Sequence, residues 1–98
     1  MNAIRVIVAD DETLLRDALE AILNLQPDIE VVAVASDGVE AIAQITRHKP
    51  DVAVLDLQMP GADGIEVTEK VSAASPSTRC MILTSHARPG YLKRSLAA

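Results

Sequence analysis

The sequence has almost no aromatic side chains: Trp and Phe are absent, and Tyr91 is its single aromatic residue. Any core must therefore be aliphatic, and hydrophobic residues, at 49% of the chain, are numerous enough to build one. Cysteine is nearly absent as well. One thiol, Cys80, excludes a disulfide within the chain and suits the reducing environment of the cytoplasm. The length of 98 residues limits the chain to a single domain.

Long apolar runs and excess positive charge are also missing. No run approaches the roughly 18 apolar residues of a membrane span, and the N-terminus lacks the basic-then-apolar pattern of a signal peptide. We therefore expect a cytoplasmic protein that does not contact membranes. The formal net charge of −5 argues against direct binding of these residues to a phosphate backbone, although a DNA-binding domain could be attached elsewhere.

Short β-branched runs alternate with segments of helical periodicity. This βα alternation predicts an α/β fold, a doubly wound parallel sheet with helices on both faces. The predicted strands are Ile4–Ala9, Val31–Ala35, Val52–Leu55 and Cys80–Thr84.

The predicted helices have recognisable start and stop signals. The first, Thr13–Leu25, carries one apolar side. That side consists of Leu15, Ala18, Leu19, Ile22 and Leu25. Asp37 is expected to cap the second helix, and Asp63-Gly64 to open the third. A fourth is expected near Pro89-Gly90.

Acidic residues follow two of these strands directly. Asp10 and Asp11 follow the first, Asp56 follows the third, and Thr84-Ser85 closes the fourth. For the strand order 2-1-3-4, these ends converge where ligands bind in doubly wound sheets. One such Asp alone is commonly only a helix cap, but all of them at the correct ends indicate a site for a hard divalent cation.

These residues resemble a known family. The elements Asp10-Asp11-Glu12, Leu55-Asp56-Leu57-Gln58-Met59-Pro60-Gly61 and Leu83-Thr84-Ser85 are similar to those of bacterial response-regulator receiver domains, which have a flavodoxin-like fold. The segment Ala87-Arg88-Pro89-Gly90-Tyr91 resembles the NarL/FixJ-like class. The resemblance covers the whole chain, and we interpret residues 1–98 as one receiver domain.

The resemblance implies a role for each site residue. Asp56 would accept a phosphoryl group from a sensor histidine kinase, which makes the chain a signalling domain rather than an enzyme acting on other molecules. Mg²⁺ would be bound by Asp11, by Asp10 largely through water, by Asp56 and by the backbone carbonyl of Gln58. Thr84 would hydrogen-bond the phosphoryl group as a conformational switch. Gln58 and His86 would tune the lifetime of the acyl phosphate, although His86 could equally be a solvated loop residue.

One part of the family pattern is missing from the sequence. Receiver domains carry a lysine after a fifth strand, and Lys49, Lys70 and Lys93 all fall on or near predicted helices instead. We therefore expect a receiver domain truncated before its fifth strand and fifth helix. The resemblance further implies a homodimer when phosphorylated. It also implies control of transcription through a C-terminal helix-turn-helix domain absent from this sequence, the only part that would contact DNA.

Two other functions stay open at this stage. The first is a receiver-shaped protein–protein interaction module that is not competent for phosphorylation in this form. The missing lysine keeps it open for this sequence, although the acidic pair, Asp56 and Thr84 argue against it for the parent protein. The second is a phosphohydrolase or phosphotransferase of another doubly wound family. Those enzymes carry the nucleophile after the first strand with a second Asp two residues later, whereas Asp10 and Asp11 are adjacent here.

Overall fold

The computed structural model of the protein describes residues 3–83, and within them four strands alternate with three helices. The elements are β1 (Ile4–Ala9), α1 (Thr13–Asn24), β2 (Ile29–Ala35), α2 (Gly38–His48), β3 (Val52–Asp56), α3 (Gly64–Ala74) and β4 (Arg79–Leu83). All neighbouring strands pair in parallel, in the order β2-β1-β3-β4. The predicted fold class and strand order are confirmed. Thr84, Ser85, His86 and the predicted fourth helix lie outside the described residues.

Strand β2 begins earlier than the sequence pattern predicts. It starts at Ile29 instead of Val31, because Ile29 pairs with Ile4 and Glu30 pairs with Arg5 of β1. Glu30 is exposed, so a charged residue is tolerated at the solvent-facing start of the strand. Strand β4 likewise begins at Arg79, one residue before the predicted start.

Two aspartates cap helices as predicted. The Oδ1 atom of Asp37 accepts a hydrogen bond from the backbone N–H of Glu40 at 2.7 Å, and that of Asp63 accepts one from Glu66 at 2.9 Å. Each bond satisfies one of the backbone donors that a helix N-terminus leaves without an intrahelical partner. These caps set the starting points of α2 and α3, and α3 starts close to the acidic residues.

Helices α2 and α3 seal one face of the sheet with aliphatic side chains. Ile45 of α2 and Val67 of α3 are fully buried against Ile7 and Leu55 of the central strands. The packing of a helix this close to the sheet fixes the backbone that leads into and out of each strand, so this face holds the strand ends in place.

The other face is covered less completely. Helix α1 has no fully buried residue, and an apolar groove of about 330 Å³ lies between it and the sheet. The groove is lined by Ile4, Val6, Leu19, Leu23, Ile29, Val52, Val54, Met81 and Leu83. The periodicity groups Ile22 and Leu25 with Leu19, but these two are 58% and 78% exposed, because α1 packs on the sheet through the partly buried Leu19 and Leu23.

Helix length also bears on membrane insertion. Within residues 3–83, no helix is both long enough and apolar enough to cross a bilayer.

Candidate functional site

The acidic site lies at the carboxyl end of the two central strands. Strands β1 and β3 pair in parallel, with Ala9 opposite Leu55, so the residues that follow them leave the sheet side by side. Asp10 follows β1 directly, and Asp56 is the last residue of β3. The parallel register alone therefore brings together two residues that are far apart in the sequence.

Three carboxylates converge at this edge, as the sequence predicts. Asp10, Asp11 and Asp56 each offer a carboxylate oxygen, and these oxygens lie within 4.8 Å of one another. Asp10 and Asp56 are 1% and 3% exposed, whereas Asp11 is exposed to solvent. The cluster thus combines two desolvated carboxylates with one that solvent reaches.

Asp10 is held by hydrogen bonds on three sides. Its backbone N–H donates to the carbonyl of Ala35 at 3.0 Å, and its Oδ1 accepts from the backbone N–H of Glu12 at 2.8 Å. Its own carbonyl accepts from the guanidinium of Arg16 at 2.8 Å. One oxygen of this buried carboxylate is therefore oriented by the first turn after β1, and the residue has little freedom to move away from Asp56.

The environment disfavours the charged form of Asp56. Burial, and then the negative charges of Asp10 and Asp11, raise the pKa of Asp56 to about 6, while the backbone amides of Leu57 and Gln58 act in the opposite direction. The carboxylate is still mostly ionised at neutral pH, as a nucleophile must be. Its negative charge is nevertheless destabilised by burial and by the two neighbouring aspartates.

Asp10 is perturbed in the same direction. Burial is the main cause that raises the pKa of Asp10, and the charges of Asp11 and Glu12 add to it, against the hydrogen bond from Glu12 N–H and the charge of Arg16. Closely spaced oxygens with raised proton affinity also attract a hard cation, and carboxylates with some solvent access are the usual ligands of Mg²⁺. The donor set of the site fits such an ion.

The segment after Asp56 is fixed at both ends. The backbone N–H of Leu57 donates to the carbonyl of Leu83 at the end of β4, at 3.1 Å. The carbonyl of Leu57 accepts from the N–H of Gly64 at 2.9 Å. A Cβ on Gly64 would lie 2.7 Å from the carbonyl oxygen of Asp56, so only glycine allows α3 to start this close to the strand. Gln58 is half-buried just beyond this anchor.

The remaining predicted site residues have different outcomes. Thr84 and His86 lie outside the described residues, so their roles stay predictions. Lys49 and Lys70 are both exposed, the first as the residue after α2 and the second within α3, and neither follows a strand at the acidic edge.

Sequence reasoning missed two residues that shape the site. Arg16, which binds the carbonyl of Asp10, gave no signal beyond a charge on α1. Gly38 gives no sequence signal beyond its place after the predicted cap Asp37, but it contacts the segment that follows β3. That contact joins residues more than 20 positions apart, and no local pattern reports it.

Comparison with known proteins places this geometry in a family. Residues 6–98 match the response regulator receiver domain family. The oxygen regulatory protein NreC of Staphylococcus epidermidis is 45% identical over 89 residues, which cover 90% of this chain and 41% of NreC. The chain thus spans less than half of that relative's length.

Solved structures agree with the sequence match. The signal receiver domain of NarL from Mycobacterium tuberculosis superimposes with a TM-score of 0.93 at 36% identity, over 99% of this chain and 78% of that one. A DNA-binding response regulator of the LuxR family from Staphylococcus aureus gives a TM-score of 0.88 at 31% identity, over 95% and 78%. The chain belongs to the response regulator receiver domain family and is of the NreC and NarL type.

Proposed function

We propose that Asp56 is the phosphoacceptor of this receiver domain and that Asp10 and Asp11 bind the Mg²⁺ required for its phosphorylation. The observation that supports the proposal best is the convergence of the three carboxylate oxygens within 4.8 Å at the end of β1 and β3. Asp56 is the member that ends a central strand and is buried beside the other two. Its position at the top of β3 leaves its carboxylate facing the same space as Asp10 and Asp11.

The reaction transfers a phosphoryl group from a histidine nitrogen of the kinase to a carboxylate oxygen of Asp56. A carboxylate oxygen of Asp56 forms a bond to phosphorus while the phosphorus–nitrogen bond of a phosphohistidine on a sensor kinase breaks, and the imidazole leaves with the electron pair and takes up a proton. Phosphoryl transfer depends mainly on positioning and on charge neutralisation. Mg²⁺ supplies that neutralisation when it is bound by Asp10, Asp11, Asp56 and the backbone carbonyl of Gln58.

This chain's own residues position the nucleophile. Pairing of β3 with β1 and β4 holds the backbone of Asp56, and the contacts of Leu57 with Leu83 and Gly64 prevent the strand end from unravelling. Arg16 and Glu12 orient Asp10 beside it. The raised pKa of Asp56 means that a bound cation relieves repulsion already present in the fold.

The function of the whole protein follows from the same proposal. The phosphorylated domain would change conformation through Thr84, form a homodimer, and control transcription through a helix-turn-helix domain elsewhere in the full-length protein. The matched LuxR-family regulator is described as DNA-binding, which supports that output. Such a protein acts in the cytoplasm, where its kinase and its DNA target are both accessible.

Labelling with a small phosphodonor tests the assignment of Asp56. The protein is incubated with acetyl phosphate and Mg²⁺, and intact mass is measured before and after hydroxylamine, which cleaves acyl phosphates. We expect one phosphoryl group on the wild type, none without Mg²⁺, and none on Asp56→Asn.

The matched control is Asp51→Asn, which changes an exposed aspartate directly before the opposite end of the same strand. It should be labelled like the wild type. Undiminished labelling of Asp56→Asn would refute the phosphoacceptor assignment, and absence of label on every variant would favour the interaction-module alternative.

A further inference from the structure

The first turn of α2 contacts the segment that follows the phosphoacceptor strand. The backbone N–H of Gly38 donates a hydrogen bond to the carbonyl of Pro60 at 3.0 Å. A Cβ placed on Gly38 would lie 1.9 Å from the carbonyl oxygen of Ala62, so the two backbones are in direct contact. Val39 packs beside them, since a Cβ on Gly61 would lie 3.0 Å from Val39 Cγ2.

Helix formation does not explain the glycine at position 38. Gly38 is the first residue of α2, and Asp37 already caps this end through Glu40. Alanine would form the helix better than glycine, and Gly38 has no positive φ that would demand glycine. The contact with Ala62 is what excludes a side chain, and Gly38 is buried by it.

The contact is linked to the acidic site through only a few bonds. Leu57 is anchored by Leu83 and Gly64, and Pro60 is anchored by Gly38. Gln58 and Met59 lie between these two anchors, with Met59 buried in the core shared with α2 and α3. The backbone of Gln58 is therefore held between two anchored residues. Leu57 is bonded to β4 and α3, and Pro60 is bonded to α2.

We propose that the first turn of α2, through Gly38 and Val39, is a positioning element for the metal site, because it sets where the backbone carbonyl of Gln58 lies. The proposal rests on the proposed function, in which that carbonyl is a ligand of Mg²⁺. Gly38 and Val39 touch neither the metal nor the phosphoryl group. They act through Pro60, Gly61 and Ala62.

Three variants of the full-length protein separate positioning from stability. Gly38→Ala pushes Ala62 away, and Val39→Ala removes a contact from a side chain that is already 63% exposed. The matched control is Ala43→Gly, an exposed position on the same helix that weakens α2 without approaching the loop. Mg²⁺ binding is measured by calorimetric titration, thermal stability by circular dichroism, and the rate of labelling by acetyl phosphate as a function of Mg²⁺ concentration.

We expect the change in Mg²⁺ affinity across the variants to be independent of the change in their melting temperatures. Gly38→Ala should raise the dissociation constant of Mg²⁺ by about tenfold, the size typical of lost support behind a metal ligand. Its labelling rate should return close to the wild-type value at saturating Mg²⁺. Val39→Ala should give a smaller rise, and Ala43→Gly should lower the melting temperature without changing the dissociation constant.

Each other outcome has a clear meaning. A folded Gly38→Ala protein with wild-type Mg²⁺ affinity overturns the positioning role, as does a rise in Ala43→Gly equal to that in Gly38→Ala. If Gly38→Ala does not fold, an unchanged Mg²⁺ affinity in Val39→Ala overturns it. A wild type that binds Mg²⁺ with the expected order among variants but accepts no phosphoryl group refutes the proposed function while supporting the positioning role.

Discussion

The polar groups at the two ends of the central sheet differ in how they are compensated: those at the amino end are hydrogen-bonded to one another, and those at the carboxyl end repel one another. At the amino end, Asp51 and Arg5 exchange hydrogen bonds: the N–H of Arg5 donates to Asp51 Oδ2, and the N–H of Asp51 donates to the carbonyl of Arg5, both at 2.9 Å. Nearby, the hydroxyl of Thr78 donates to the carbonyl of Pro50 at 2.6 Å and contacts the buried hydroxyl of Ser75. These groups satisfy one another within the fold.

At the carboxyl end, three acidic groups face each other and raise the proton affinity of Asp56. The difference shows that the uncompensated charge repulsion of this fold lies at the carboxyl end of the sheet. The amino end stabilises the native state by itself, whereas the carboxyl end is complete only when a cation or a proton joins it. Changes at the amino end should therefore alter stability alone, and changes at the carboxyl end should alter stability and ligand binding together.

Addition of Mg²⁺ should give the largest effect. At a concentration one hundred times the dissociation constant, the metal should raise the free energy of unfolding by about 3 kcal/mol. The gain should shrink well below pH 6, because protons then compete for Asp56. Urea unfolding with Mg²⁺ or with a chelator, at neutral and acidic pH, measures it. A gain of equal size at both pH values would contradict the contrast between the two ends.

Thr78→Val should lower the free energy of unfolding by about 2 kcal/mol. It removes the hydroxyl that donates to the carbonyl of Pro50, and it takes a hydrogen-bond partner from the hydroxyl of Ser75, a residue that is 1% exposed. Val keeps the shape of the side chain, so the loss reports the hydrogen bonds. Urea unfolding measures the change. The Mg²⁺ dissociation constant should stay at its wild-type value, and a weakened metal site in this variant would mean that the two ends are coupled.

Asp56→Asn should stabilise the metal-free protein at neutral pH by about 1 to 2 kcal/mol, because it removes a charge from the acidic cluster. The sign follows from the raised pKa: the folded state holds the Asp56 proton more tightly than the unfolded state, so wild-type stability falls as pH rises from about 4 to above 6. The gain of the variant should therefore vanish near pH 4. Urea unfolding across this range measures it, and a destabilised variant at pH 7 would refute the repulsion.

Asp51→Asn should have the smallest effect, less than about 0.5 kcal/mol, because Asp51 is exposed and Asn keeps an oxygen that accepts from Arg5. The pair Asp51→Asn and Asp56→Asn applies one chemical change to the two ends of β3. Unfolding of both at neutral pH without metal compares them directly. Equal shifts would show that net charge, and not the local cluster, determines the response.

The sequence predicts those features that depend on local pattern. Aliphatic runs locate the strands, Asp37 and Asp63 mark the helix starts that they cap, and residues at strand ends define the acidic site. All of these follow from periodicity or from the parallel order of the sheet. The family resemblance then distinguishes Asp56 from its acidic neighbours, which no spacing could do.

Features that depend on long-range packing are not visible in the sequence. The guanidinium of Arg16 reaches the carbonyl of Asp10, and Gly38 excludes a side chain because of Ala62, yet both residues belong to ordinary amphipathic helices. The exposure of Ile22 has the same cause: helical spacing places it beside Leu19, but α1 packs on the sheet through Leu19 and Leu23. Such contacts are settled only when the elements meet.

The apolar groove beside α1 has a consequence for the order of folding. Its walls come from all four strands and from α1, including Ile4 near one end of the described chain and Leu83 at the other. No single hairpin-sized unit of neighbouring residues can form it, and closing so long a stretch of chain carries a high entropic cost. The groove is therefore complete only when α1 and all four strands have come together, so it reports the assembly of the whole sheet and not of any one part of it.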